Sequence, residues 1–193
     1  MSLREDIAGY ALTIFSRTEG KKRSQLSIGR SIEQSSGVLL CMPEDHNQFR
    51  IARYVFRGVL ESPVSKRITV LMHESVEADY QIKSNARKIV IKETDLGFWT
   101  IPKPSWIIEQ GFSTYDLIVD LNTNYHLYAA YLSMKLGDGL IIGFAWEGAD
   151  EFYNVLLEMN ETNSSLENTY RTIRDEYTNL IPLENLKLSS RAK

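Results

Sequence analysis

Residues Thr114–Phe144 read TYDLIVDLNTNYHLYAAYLSMKLGDGLIIGF, and their pattern decides the fold class. The run Tyr115–Leu121 is almost continuously apolar, which is typical of a strand buried on both faces of a parallel sheet. The segment from about 124 to 136 predicts a helix, Gly137-Asp138-Gly139 a turn, and Leu140–Phe144 a second strand. The stretch therefore predicts one strand–helix–strand unit of an α/β fold.

The rest of the chain continues this alternation of strands and helices. Apolar runs predict further strands at Gly37–Met42, Arg67–Met72, Lys88–Ile91 and Phe152–Met159, and helices at about 46–61, 76–83, 104–110 and 166–180. Alternation of this kind predicts a three-layer, Rossmann-like, doubly wound sheet. We expect five to six strands, mainly parallel, in the order of about 3-2-1-4-5(-6), with an extra N-terminal helix at 3–16 and a C-terminal helix.

Length and composition indicate how the chain is divided into domains and which kinds of partner it binds. We expect residues 1–36 to form an N-terminal helix and a polar connector, 37–182 a single α/β domain, and 183–193 a tail. A net charge of −3 argues against nucleic-acid binding. No apolar run reaches the ~18 residues that a membrane-spanning helix needs. A single cysteine, Cys41, rules out an intrachain disulfide and fits a cytoplasmic protein.

Polar residues collect where the predicted strands end. The carboxyl ends of parallel strands share one edge of the sheet, and open α/β sheets bind ligands there, at the switch between the first and fourth strands in this order. All three histidines fall at this edge, where neutral imidazoles beside carboxylates suit an acid–base pair or a metal site. The ligand-binding candidates are Glu44, His46, His73, Asp120, Asn122, Asn124, His126 and Trp146.

A structural interpretation competes with the functional one at each candidate. Asp120 is suited to pairing with a backbone amide or capping the next helix as well as to contacting a ligand. Arg50, Arg53 and Arg57 share a helix face, which is typical of solvated surface and less so of a phosphate-binding stripe. The sequence has no glycine-rich phosphate loop, no GxSxG elbow and no His-Glu-x-x-His motif. We therefore predict no cofactor and no resident metal.

The order of elements resembles the N-terminal, acceptor-side half of the ADP-heptose:lipopolysaccharide heptosyltransferases, which have the two-domain GT-B fold. The resemblance covers about 36–144 and is carried by the segments KRITVLMHES, YDLIVDLN and LIIGF. In that family a Ser-Gly-Asp turn after the first strand holds the proposed catalytic base. Here Pro43-Glu44-Asp45-His46-Asn47 stands in its place, which makes Asp45 the catalytic candidate. The segments YHLYAAYLSMKLG and EFYNVLLEM also resemble short bacterial proteins that carry a domain of unknown function.

The resemblance implies several alternatives for function. The family's second domain binds the nucleotide-sugar donor, and it has no counterpart after Phe144. We therefore expect a stand-alone, glycosyltransferase-like module that is not catalytic by itself and that binds a sugar or sugar-phosphate ligand, a partner protein or a second copy of itself. One alternative is an acceptor-binding glycosyltransferase subunit that needs a donor-domain partner. Another is a small metal- or phosphate-dependent enzyme that uses Asp45, His46, His73 and Asp120.

Aromatic residues between the third and fourth predicted strands have two interpretations. They suit either a loop packed over the sheet or an exposed surface for a partner, since large aromatic side chains anchor interfaces. The residues are Phe98, Trp99, Trp106, Phe112 and Tyr115.

Overall fold

The computed structural model describes residues 37–158 and 165–175, and its centre is a parallel sheet of six strands. The strands are β1 Val38–Cys41, β2 Ile68–His73, β3 Arg87–Ile91, β4 Tyr115–Asp120, β5 Gly137–Phe144 and β6 Val155–Leu157. Their order in the sheet is β3-β2-β1-β4-β5-β6, and every neighbouring pair is parallel. The predicted Rossmann-like fold class and strand order are therefore confirmed.

Helices cover both faces of this sheet. Within the described ranges the α-helices are α1 His46–Leu60, α2 Pro104–Gln110, α3 Leu127–Leu136 and α4 Leu166–Ile173. Residues of α1 and α4 share a core on one face, and residues of α2 and α3 share a core on the other. No helix in the described part of the chain is long and apolar enough to cross a membrane.

The side chains of each strand alternate between these two cores. In β1, Leu39 and Cys41 pack with α2 and α3, whereas Val38 and Leu40 pack with α1 and α4. All four are buried. A strand that is covered on both faces has no solvent-facing side, which explains its continuous apolar run. Polar side chains are accordingly placed at the strand ends, which is where a ligand site is expected.

Several element boundaries differ from the sequence-based prediction. β5 begins at Gly137, directly after α3, where we expected a turn. A Cβ atom at Gly139 would collide with the carbonyl oxygen of Asp116, so this glycine permits close approach of β5 to β4 rather than a chain reversal. The helix expected at 76–83 is a short 3-10 segment, Glu74–Asp79. The predictions for residues 1–36, 159–164 and 176–193 lie outside the described residues.

Candidate functional site

Glu44, His73 and His126 form a polar group at the carboxyl edge of the sheet, which we call the edge cluster. Glu44 follows β1, the strand that pairs with both β2 and β4 and so marks the switch point. Its Oε2 lies 2.9 Å from Nδ1 of His126, and its Oε1 lies 3.7 Å from Nδ1 of His73. The carboxylate therefore stands between two imidazoles that come from distant parts of the sequence.

Glu44 and His126 are the solvent-accessible members of the edge cluster. Their side chains are 31% and 27% exposed. The hydrogen bond from His126 lowers the pKa of Glu44, partial burial opposes this effect, and the charge of a protonated His126 lowers the pKa further. Glu44 is thus held as a carboxylate, which only accepts hydrogen bonds, so Nδ1 of His126 is the donor of this pair.

His73, the last residue of β2, is the buried member, with 6% of its surface exposed. The backbone N–H of Ser75 donates to its Nδ1 at 3.3 Å. An amide N–H only donates, so Nδ1 is the acceptor and the neutral ring carries its proton on Nε2. This Nε2 has no hydrogen-bond partner among the described residues. It lies 3.5 Å from Oε1 of Glu93, but the geometry is not that of a hydrogen bond.

Tyr128, in the first turn of α3, places a second buried polar atom beside the edge cluster. Its ring centroid lies 6.4 Å from that of His73 and 6.0 Å from that of His126. Burial raises the pKa of Tyr128, and the negative charges of Glu44 and Asp120 raise it further. Its hydroxyl has no hydrogen-bond partner in the described part of the protein. Buried polar atoms without partners are uncommon, and here two of them come from neighbouring rings.

A buried hydrogen-bond network fixes the backbone of Glu44 to the end of β4. Asp120, which is 2% exposed, accepts the hydroxyl of Tyr153 on Oδ2 at 2.7 Å. Its Oδ1 accepts the backbone N–H and the side-chain amide of Asn122 at 3.0 and 2.7 Å. Asn122 Oδ1 then accepts the backbone N–H of Glu44 at 3.0 Å. Burial raises the pKa of Asp120, although the hydrogen bonds from Asn122 and Tyr153 oppose the rise.

The catalytic candidate Asp45 has a structural role as the N-cap of α1. Its Oδ1 accepts the backbone N–H groups of Asn47 and Gln48 at 3.0 and 2.9 Å. An aspartate oxygen that accepts these backbone N–H groups is the usual N-cap arrangement. The assignment of Asp45 as a catalytic base stays a prediction.

The remaining candidates lie outside the connected set. His46 is exposed, and its Nδ1 lies 2.9 Å from Oδ2 of Asp79. Asn124 is exposed on the loop before α3. Trp146 packs against Tyr125 with 4.4 Å between ring centroids. Polar contacts thus join Glu44, His73, Asp120, Asn122 and His126. Trp146 also packs against Tyr153, the hydrogen-bond partner of Asp120, with 6.2 Å between ring centroids.

The predicted arginine stripe is engaged with neighbouring side chains and backbone. Arg53 Nη1 donates to the carbonyl oxygen of Asp79, and Arg50 Nε lies 3.9 Å from Oδ2 of the same residue. Arg57 pairs with Glu61 at 2.9 Å, one helical turn on. These contacts fit the interpretation as a helix face better than that of a phosphate-binding stripe.

The described residues contain no group of three or more His, Cys, Asp or Glu side chains arranged to hold a metal ion. Of the four residues proposed for a metal-dependent enzyme, Asp45 caps α1, His46 pairs with Asp79, and His73 and Asp120 belong to different hydrogen-bond systems. Cys41 is buried, and burial raises the pKa of its thiol, which disfavours the nucleophilic thiolate.

The aromatic residues between β3 and β4 divide into two sets. Trp106 and Tyr115 are buried in the core, and Phe112 is partly buried against it. Phe98 and Trp99 are 68% and 41% exposed and pack edge to face, with 5.0 Å between ring centroids. Their loop is closed by an antiparallel bridge between Leu96 and Pro102.

Three residues of the site were not predicted from the sequence: Glu93, Tyr128 and Tyr153. Glu93 follows β3, so the rule that selected the other strand ends applies to it as well. Tyr128 shares helical spacing with Tyr125 and Tyr131, a pattern that indicates packing. Tyr153 lies beyond β5, and no local pattern connects it to Asp120.

The chain matches no known family model, no curated protein sequence and no solved structure. Its function is therefore inferred from the geometry and chemistry of the site.

Proposed function

We propose that this protein is a glycosyltransferase-like module that binds a small sugar or sugar derivative at the edge cluster. The observation that carries the proposal is the position of the Glu44 carboxylate between the imidazoles of His73 and His126, at the switch point of the sheet. Open α/β sheets take their ligands at this point. The resemblance of the strand segments to the acceptor-side half of heptosyltransferases supports a carbohydrate as the ligand class.

The chemistry of the cluster supports binding of a polar molecule. Glu44 accepts hydrogen bonds, and its side chain and that of His126 are partly exposed, so a ligand can reach both. The backbone of Glu44 is held by the buried network of Asn122 and Asp120. A carboxylate whose support is rigid loses little conformational freedom on binding, which favours affinity. With a donor-binding partner chain, the same site would serve as the acceptor side of a transferase.

A ligand screen with site variants tests the proposal. Thermal unfolding is followed with sugars, sugar phosphates and nucleotide sugars, since a ligand that binds the folded state raises the melting temperature. We expect at least one compound to stabilise the parent protein, and Glu44→Gln and His126→Ala to abolish the shift. His46→Ala is the matched control, because His46 is an exposed histidine at the same edge of the sheet. We expect this variant to keep the ligand-induced rise in melting temperature. The proposal fails if no compound stabilises the protein, or if the His46 variant loses the shift as well.

A second candidate function is protein binding through the loop that carries Phe98 and Trp99. Their exposure and mutual packing favour it, because preorganised aromatic side chains are common anchors at interfaces. Sedimentation of the parent protein and of the double variant Phe98→Ser, Trp99→Ser tests a self-association. If the parent protein is a dimer and the double variant is a monomer, this function is supported. If the parent protein is a monomer at every concentration, binding to a second copy through this loop is excluded.

A further inference from the structure

We infer that the edge cluster, together with Tyr128, binds an uncharged hydroxyl group of its ligand and selects against a phosphate group. The inference rests on the proposed function and deepens it, because it states which part of a sugar derivative enters the site. Two observations carry it independently: the hydrogen-bonding groups that lack partners, and the charge of their surroundings.

The groups without partners, together with the carboxylates beside them, match a ligand group that both donates and accepts. Nε2–H of His73 is a buried donor, and the hydroxyl of Tyr128 is a buried donor and acceptor. The carboxylates of Glu44 and Glu93 flank His73 at 3.7 and 3.5 Å and only accept. A sugar hydroxyl accepts from an imidazole or phenol and donates to a carboxylate at the same time.

The charge around the site opposes a phosphate. Among the described residues, the ion-pair partners of Glu44 and Glu93 are histidines, and no lysine or arginine pairs with either carboxylate. A phosphate dianion would meet the carboxylates of Glu44 and Glu93, whose side chains are 31% and 72% exposed. Repulsion is screened least at Glu44, the more buried of the two. Phosphate sites in proteins supply arginine forks or free helix N-termini instead.

The nearby sources of positive charge are already engaged. The carboxylate of Asp45 takes the first backbone N–H groups of α1, which would otherwise attract an anion. Arg50 and Arg53 of the same helix contact Asp79. Among the described residues, the edge cluster therefore offers hydrogen bonds without a lysine or arginine side chain paired to its carboxylates.

Imidazole nitrogen resonances provide a direct readout, because the chain has three histidines and one of them lies outside the edge cluster. The full chain, labelled with ¹⁵N-histidine, is titrated at about pH 7.5, where an unperturbed imidazole is neutral. The probes are the methyl glycosides of mannose, glucose and galactose, the 1-phosphate of each sugar, and inorganic phosphate. We expect at least one methyl glycoside to shift the His73 and His126 resonances and to leave those of His46 in place. We expect inorganic phosphate to shift neither, and each 1-phosphate to bind no more tightly than its glycoside.

The remaining outcomes separate this inference from the proposed function. If inorganic phosphate shifts His73 and His126, or a 1-phosphate binds more tightly than its glycoside, the selection for a hydroxyl is wrong while the ligand site stands. If no probe shifts either resonance, both the inference and the proposed function are contradicted.

A matched pair of variants tests the role of Tyr128. Tyr128→Phe removes a hydroxyl that has no partner in the folded chain, so the fold is retained, and we expect the affinity for the glycoside to fall about threefold to tenfold, the effect of one neutral hydrogen bond. Ser133→Ala removes another buried, unpartnered hydroxyl from the same helix and leaves the affinity unchanged. Unchanged glycoside affinity in Tyr128→Phe would overturn the inference.

Discussion

Glu44 and Asp120 lie at neighbouring strand ends and are linked through Asn122, yet the fold moves their pKa values in opposite directions. The hydrogen bond from His126 lowers the pKa of Glu44. Burial raises the pKa of Asp120, because the carboxyl is removed from water, although the hydrogen bonds from Asn122 and Tyr153 and the charge of His126 oppose the rise. The two residues therefore make opposite contributions to the pH dependence of stability.

Glu44→Gln should destabilise the protein at neutral pH and not at acid pH. A carboxyl whose pKa is lowered in the folded state contributes stability above its unfolded value of about 4.3, and this contribution is lost as pH falls through the folded pKa. Since Glu44 is partly exposed, we expect a cost of about 1 kcal/mol at pH 7. Urea unfolding across a pH series measures it. Glu61→Gln is the control, because it removes an exposed carboxylate that pairs with Arg57 one helical turn earlier. We expect it to lower the free energy of unfolding by less than Glu44→Gln does. A cost that grows toward acid pH would contradict the assignment.

Asp120→Asn should gain stability relative to the parent protein as pH rises. A carboxyl whose pKa is raised in the folded state contributes most below its unfolded value of about 3.9, and the contribution is lost as pH rises toward the folded pKa. Asparagine can accept from Asn122 and donate to the hydroxyl of Tyr153, so we expect the two proteins to differ by no more than about 1 kcal/mol near pH 4. The same urea series gives the comparison. If the stability of the variant falls relative to the parent protein as pH rises, the fold stabilises the ionised carboxylate of Asp120, and a raised pKa is the wrong direction.

At the scale of elements, the position of β5 depends on glycines that let neighbouring groups approach its backbone. A Cβ atom at Gly143 would lie 2.8 Å from the ring carbons of Tyr153, closer than packing allows. The bare backbone at this position lets the tyrosine lie against β5 and reach Asp120. Gly143 thus supports the site without carrying a functional group.

Gly143→Ala should displace Tyr153 and cost about 2 kcal/mol, the usual price of overpacking one methyl group in a tight core. Gly58→Ala is the matched control, because it is exposed on α1 and a Cβ atom there meets nothing within 4 Å. In that variant we expect a gain of about 0.5–1 kcal/mol from the better helix propensity of alanine. Chemical unfolding of both variants measures the difference. Equal stabilities would show that the ring of Tyr153 moves freely.

The N-cap of α1 separates the structural role of Asp45 from its predicted catalytic role. Asparagine caps a helix as well as aspartate does, whereas alanine does not. We therefore expect Asp45→Ala to cost about 1 kcal/mol and Asp45→Asn to cost almost nothing. Because Asp45→Asn keeps the fold and removes the carboxylate, it also tests the residue in any transferase assay. An equal loss of stability in both variants would mean that the side-chain oxygen does not cap the helix.

How far the elements were predictable follows from the physics of each. The continuous apolar run of β4 predicts a doubly covered strand, and the right-handed crossover rule then leads to the observed strand order. The strand-end rule selects Glu44 and His73, since it needs only the positions of the strands. It does not select Tyr128 or Tyr153, because their approach to the site depends on how a helix and a loop pack in three dimensions.

At the scale of the whole molecule, the sheet brings together segments that are remote in the sequence. Hydrogen bonds and close polar contacts connect Glu44, three residues after β1, to the end of β2 and to the loop after β4. Through Asn122 and Asp120 they extend to Tyr153 beyond β5. On the face of the sheet that α1 and α4 cover, Tyr170 of α4 donates its hydroxyl to the carbonyl oxygen of Leu121 at 2.6 Å. The carboxyl edge is thus a single connected structure, and a ligand bound there acts on several segments at once.

Hydrogen exchange should reveal this connection as simultaneous protection of separate peptides. With a saturating methyl glycoside that binds, we expect slower exchange in residues 43–47, 73–79 and 121–128, because ligand contacts oppose local opening of each segment. Residues 54–62, which include the end of α1 away from the edge cluster, should exchange at an unchanged rate. Mass spectrometry of peptic peptides measures all of these ranges in one experiment. Protection limited to one of the three segments would mean that the ligand does not bind across the switch point, and protection of 54–62 alone would place its site elsewhere on the molecule.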